Sequence, residues 1–108
     1  MRAIFLLLLS GLPLWAAAES SGVPSAQRQH ELIRLVRQDC GACHGMTLQG
    51  GLGSPLLPQS LREIPAISLV ATVLHGRPGT PMPAWKTLLG EHEAEWIVVQ
   101  LMKGFPQE

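Results

Sequence analysis

Apolar positions in this chain fall into blocks separated by stretches rich in Gly and Pro. Ala3 to Leu9 is an unbroken apolar run, extended to Trp15 with Ser10, Gly11 and Pro13 inside it. Glu19 to Ser25 is polar and turn-like, as a frayed N-terminus would be. Ser25 is placed to cap a helix over Ala26–Asp39, on which Leu32, Ile33, Leu35 and Val36 recur at helical spacing. Gly50, Gly51, Gly53, Pro55 and Pro58 exclude any regular element between Gly45 and Gln59. Ser60–Glu63 predicts a short helical turn. Pro65, at a first-turn position, opens a second helix through Leu74, with Ile67, Val70, Ala71 and Leu74 on one side. Gly76 to Pro83 is a second rigid loop, followed by a helical turn over Trp85–Leu89. The last helix runs from Glu91 to Lys103 with Ala94, Ile97, Val98 and Leu101 as its apolar face. Glu91, Glu93 and Glu95 at its start, and Lys103 then Gly104 at its end, suit the helix dipole and a C-terminal cap. No segment alternates as a strand does, and there is no internal repeat. The pattern predicts an all-α domain of three main helices and two Gly/Pro-rich loops.

Composition changes this picture at the N-terminus. Arg2, the apolar run and Ala16-Ala17-Ala18 make the pattern of a secretory signal over residues 1–18, cleaved after Ala18. The run is short of the roughly 20 residues that a spanning helix needs, so the expectation is a periplasmic protein with no stable membrane anchor; an uncleaved anchor is the alternative. Residues 19–108 are then one domain. The chain is 46% apolar, a figure raised by this first segment. Beyond it there is no Tyr, and Trp85, Trp96 and Phe105 are the aromatic residues. Such a chain buries a modest core, and domains of this size often recruit a disulfide, a metal or a cofactor. The formal net charge is zero, which argues against nucleic acid as a partner.

The two cysteines carry the chemistry. Cys40-Gly41-Ala42-Cys43-His44 is the pattern that attaches a c-type haem. Thiols three residues apart at a helix end reach both vinyl groups on one porphyrin edge, and the following imidazole then meets the iron. A thioredoxin-like redox pair would need a strand before the motif and a helix after it; here a helix precedes and a Gly-rich loop follows. A zinc site would need four ligands, usually from two such clusters. A disulfide between residues three apart would constrain almost nothing.

With this motif, the loop Gly53-Ser54-Pro55-Leu56, the segment Pro81-Met82-Pro83 and the final helix, the chain resembles a class I cytochrome c from Ala26 to Met102. The resemblance implies N- and C-terminal helices that cross, with loops wrapping one haem c held by thioethers at Cys40 and Cys43. It implies His44 and Met82 as axial iron ligands. Prolines on both sides of Met82 lower the cost of ordering its loop. Met46 is too near His44 to reach the opposite haem face, Met102 suits core packing, and His75 is the rival distal ligand. His30 and His92 read as solvated. The family's proximal histidine donates to a proline carbonyl, a role that falls to Pro55; Arg77 and Trp85 are candidates to hydrogen-bond the haem propionates. Val36 and Gln100 stand where the crossing helices usually carry aromatics, with Trp96 a turn earlier.

A haem iron with six ligands has no open position, so electron transfer rather than catalysis is implied, at a positive potential favoured by a thioether ligand. Electrons would pass near Ala42, Met46 and the Pro81–Ala84 loop. The segments Asp39–Leu48, Gly50–Gly53 and His75–Trp85 are also similar to the small periplasmic cytochromes called c55X and to the c domains of haem d1 proteins. This implies a monomeric, non-enzymatic carrier in denitrification. Its redox partners would be cytochrome cd1 nitrite reductase or the proteins of haem d1 maturation. A subunit docked permanently on an oxidoreductase is a further reading. If Met82 is labile, the alternative is a haem-based ligand-binding or peroxidase-like protein.

Overall fold

The computed structural model describes Gly11 and residues 22–107. The proposed export segment, residues 1–18, lies outside the described residues apart from Gly11. Among the described residues the chain is helical with no strand, and no helix is long and apolar enough to cross a membrane.

Helix α1 spans Ala26–Leu35 and starts where Ser25 Oγ accepts the Arg28 amide N–H at 3.2 Å. The expected end at Asp39 is not where the rod stops. It widens into a π-helical turn over Val36–Cys40, closed by the Gly41 N–H on the Val36 carbonyl, and continues as α2, Gly41–His44. Neither Gly nor Pro interrupts it before Gly41, so nothing in the sequence breaks the ladder earlier. The haem motif is therefore the last turns of one rod. Helix α3 is Pro58–Leu61, earlier than the predicted Ser60–Glu63, because Pro58 takes the first-turn position. Helix α4 is Ala66–His75, with Pro65 extended at its N-cap. Helix α5 is Glu91–Lys103, with the predicted bounds, and ends at Gly104 with φ 107°.

The core forms where α1 and the π turn meet α5. Leu32 and Val36 pack with Leu48, Leu61, Leu89, Ile97 and Leu101. Both Leu32 and Val36 are fully buried, each worth roughly 1.5–3 kcal/mol of hydrophobic stabilisation. Ala94, Ile97, Val98 and Leu101 are all buried, as the pattern of the last helix predicts. On α4 the pattern misleads. Leu69 and Val73 face the core, whereas Ile67 and Ala71 are exposed. The apolar arc of α4 is wide, interrupted only by the stripe of Ser68, Thr72 and His75, so the pattern does not single out which flank of it packs.

The missing aromatics are replaced by Trp96, half-buried against the core, and by Phe105 just past α5. The Arg37 guanidinium lies over the Phe105 ring at 5.3 Å, and its Nη2 donates to the carbonyls of Phe105 and Pro106 at 3.1 and 2.8 Å. The end of the chain is thereby pinned to the π turn. At the other end, Arg28 of α1 pairs with Glu93 of α5, whose Oε1 also accepts the Gly90 N–H at 3.0 Å. The Arg28 guanidinium holds the Glu93 carboxyl below the usual carboxylate range.

Because Glu93 titrates lower in the folded state, its contribution is present above the unfolded carboxyl pKa and is lost as pH falls through the folded one. Arg28→Ala therefore lowers unfolding free energy by about 1 kcal/mol near neutral pH, the size of a partly exposed pair with good geometry. The difference between variant and parent shrinks toward pH 3, as read by urea unfolding at each pH.

Candidate haem site

The rod of α1, the π turn and α2 delivers Cys40, Cys43 and His44 in sequence within its last turns. Cys40 is half-buried and Cys43 exposed, and both thiols are free. Burial, with the Asp39 charge adding to it, pushes the Cys40 thiol up to about 11. A redox CxxC pair has a lowered thiol pKa instead.

A bracket of backbone bonds folds the following loop back under His44. The Gly45 N–H donates to Gly41, Gly50 to the His44 carbonyl at 2.8 Å, and Gly53 to the Cys43 carbonyl at 2.8 Å. The loop needs glycine where it closes most tightly. A Cβ on Gly53 would lie 2.7 Å from His44 Nδ1, so the residue forms the seat of the imidazole. Leu48 adopts φ 61° and is buried, and its carbonyl accepts the Leu56 N–H at 2.8 Å. Burial of this leucine stabilises a backbone conformation that L-residues avoid.

His44 Nδ1 donates to the Ser54 carbonyl at 2.6 Å. This corrects the expectation that Pro55 supplies the acceptor. With the family's Gly-Pro-x-Leu pattern laid on Gly53-Ser54-Pro55-Leu56, Ser54 stands where the family has its proline, so the accepting carbonyl is that of Ser54. Pro55 acts one step away: it favours an extended residue before it, and its ring packs at the Gly50 Cα. Since a carbonyl only accepts, Nδ1 carries the proton and Nε2 is left as a free donor atom for a metal.

Met82 sits on a loop that closes the end of α4. The Trp85 and Lys86 N–H groups donate to the Val73 and Leu74 carbonyls at 3.1 and 3.2 Å, which leaves fewer unpaired carbonyls in the last turn of α4. Within the loop, the Arg77 N–H donates to the Met82 carbonyl at 3.2 Å, Thr80 Oγ1 to the Arg77 carbonyl at 2.7 Å, and the Met82 N–H to Thr80 Oγ1 at 3.3 Å. Gly76 has φ 67°, and a Cβ there would lie 2.7 Å from the Met82 carbonyl oxygen. Met82 is half-buried between exposed prolines; His75 and Arg77 are exposed, and Trp85 is half-buried against the core. Met46 is 68% exposed, and Met102 packs on the core. His30 and His92 are exposed, His92 Nδ1 lying 3.3 Å from Glu95. Gly53, Ser54 and Gly76 support these side chains although the sequence pattern assigns them no role; Gly53 and Ser54 stand in the Gly53–Leu56 loop, and their nearness to His44 arises only when that loop folds back.

Two thiols a helical turn apart, an imidazole with its Nδ1 proton engaged and a half-buried thioether on a hydrogen-bonded loop are the donor types that a c-type haem takes. The helical fold and this set define a c-type cytochrome. Residues 27–99 match the family described as cytochrome C oxidase, cbb3-type, subunit III, and the chain belongs to the class I c-type cytochromes, whose cofactor is a c-type haem. Within that class it is of the c55X type. It is 57% identical over 81 residues to cytochrome c55X of Pseudomonas aeruginosa, covering 75% of this chain and 68% of the relative. A solved structure of the c-type cytochrome NirC superposes with a TM-score of 0.74 at 56% identity, covering 75% of this chain and 95% of that one. The dihydro-heme d1 dehydrogenase of Pseudomonas aeruginosa is 37% identical across 100% of this chain, which spans 20% of that relative.

The two glycine seats generate a paired test. Gly53→Ala and Gly76→Ala each cost about 1–3 kcal/mol of stability, by clash and, at Gly76, by left-handed strain as well. Gly53→Ala perturbs the histidine side of the haem spectrum, and Gly76→Ala weakens the far-red ferric band that marks thioether–iron bonding. Absorption spectra and thermal melts of the two holo-variants check this.

Proposed function

We propose that this chain is a periplasmic electron carrier, exported by residues 1–18 and binding one haem covalently through Cys40 and Cys43. His44 Nε2 and Met82 Sδ are the axial ligands. The observation that carries this reading is the bond from His44 Nδ1 to the Ser54 carbonyl, which fixes the ring and its tautomer and raises the basicity of Nε2. A bound haem c supplies a one-electron Fe(III)/Fe(II) couple. The protein's part is to hold both axial donors still, so that gaining or losing an electron requires little rearrangement. The bracket from Gly45 to Ser54 does this for His44, and the Arg77–Thr80–Met82 bonds do it for the thioether. Trp85 and the exposed Arg77 are the candidates to meet the propionates. With both axial positions filled by side chains the iron has no place for substrate, which suits a carrier rather than an enzyme. The half-buried Met82 beside an exposed His75 favours the thioether as distal ligand.

The exposed surface at Ala42, Cys43, Met46, Pro81 and Ala84 is where electrons enter and leave. No Lys, Arg, Asp or Glu occurs from Cys40 to Leu61 or from Pro78 to Trp85, so docking there relies on a small apolar contact and short residence. The name of one relative, the dihydro-heme d1 dehydrogenase, supports haem d1 proteins as partners. Cytochrome cd1 nitrite reductase is the first electron acceptor, and a redox step in haem d1 maturation is the other place for the same transfer.

Pre-reduced protein should pass electrons to cytochrome cd1 at micromolar concentration, at a rate changing little with salt, as stopped-flow absorption would show; absence of transfer contradicts the donor role. Haem should stay with the polypeptide under denaturing acid extraction in the parent. Met82→Ala should keep that haem while losing the far-red ferric band and lowering the reduction potential.

A further inference from the structure

The sequence of α4, AISLVATVLH, has no charged residue, and its Thr72 hydroxyl is spent on the Ser68 carbonyl at 2.9 Å. Apart from one polar stripe of Ser68, Thr72 and His75 the helix is apolar, yet no residue of α4 is fully buried and Ile67 is 79% exposed. Leu69 and Val73 serve the core. Ala66, Ile67 and Val70 instead line a surface groove whose other wall is Val98 and Val99 of α5. Val99, 44% exposed, continues the apolar floor outward. Glu91 and Glu95 complete the lining, which includes no basic side chain. Exposed apolar surface of this kind, rimmed by charge of one sign, marks a protein contact.

From this geometry we infer that the α4–α5 groove is a second docking surface, for a partner's helical segment that is apolar on one face and carries Lys or Arg at its edges. Charge complementarity selects this occupant: two copies of the chain would set the Glu91 and Glu95 rims against each other. The dihydro-heme d1 dehydrogenase, of which this chain spans 20%, shows this kind of unit carried within a larger polypeptide. None of the groove residues belongs to the Cys40–Ser54 or Gly76–Trp85 segments. A partner seated here leaves those segments free, so the groove holds the carrier in place while electrons pass elsewhere.

The test uses the mature holo-protein and two labelled helical peptides, one with leucines on one face flanked by lysines, the other with glutamates in place of the lysines. The lysine peptide is expected to bind, by fluorescence anisotropy, at least 10-fold more tightly than the glutamate peptide, and to weaken as salt rises. Ile67→Glu, at an exposed site that tolerates polarity, should reduce that binding 10-fold or more. Glu91→Lys with Glu95→Lys should invert the preference between peptides. The haem spectrum and the reduction potential should be unchanged in both variants, which separates the groove from the haem site. Equal binding of the two peptides, no binding of either, or indifference to Ile67→Glu would overturn the proposal. So would a concentration-dependent dimer in sedimentation that Ile67→Glu abolishes, since a second copy would then be the occupant.

Discussion

The orientation of a single imidazole organises this molecule. His44 ends a continuous helical rod, and its Nδ1 is tied to the Ser54 carbonyl at 2.6 Å. For that bond to form, the chain must reverse within ten residues and pass directly beneath the ring. The reversal explains the glycines of the loop, the left-handed Leu48 driven into the core, and the donation of Gly50 and Gly53 to the carbonyls of His44 and Cys43. The same loop carries Leu48 and Leu56 into contact with the core that α1 and α5 share. Fixing the histidine and closing the fold are thus achieved by one stretch of chain. A c-type haem then adds the large aromatic mass that a chain without Tyr lacks.

The methionine side is built on a different device with the same outcome. Helix α4 ends in carbonyls that the chain beyond Met82 satisfies, through Trp85 and Lys86. Gly76 permits the sharp exit, and the Arg77–Thr80 turn holds the Met82 backbone from both sides. Both candidate axial donors, His44 at a helix end and Met82 on a loop, are therefore held by short loops whose hydrogen bonds end on helix termini. Such preorganisation is what an electron carrier needs, because movement of the ligands between oxidation states would slow transfer.

Much of this was legible in the sequence. The Cys40–His44 motif, the Pro81–Met82–Pro83 segment and the 3.6-residue pattern of the last helix identify the fold and offer the candidate donor atoms. Ser25 as a cap and Glu91–Lys103 as a helix follow from capping chemistry and charge placement. Other features were not readable, for physical reasons. The π turn at Val36–Cys40 has no composition signal, since it is a change of hydrogen-bond register within good helix formers. The acceptor was placed on Pro55 instead of Ser54, because a one-residue choice of carbonyl depends on how tightly the loop closes around Gly53. The orientation of α4 is not readable because its apolar arc is wide on both sides of the Ser68, Thr72 and His75 stripe, and the flank left outside is the basis for a second contact surface. The replacement of the usual aromatics by the Arg37–Phe105 pair lies beyond the last helix, where periodicity gives no guide.

The claim on which the rest turns is that Met82, opposite His44, completes the coordination of a haem held at Cys40 and Cys43. The most direct measurement is proton NMR of the reduced protein with selectively labelled methionine methyl groups and a Met82→Leu control. If the account is right, one methyl resonance, absent in the control, lies far upfield of the ordinary methionine range, moved there by the porphyrin ring current. If the Met82 methyl appears at an ordinary position beside those of Met46 and Met102, the account is contradicted.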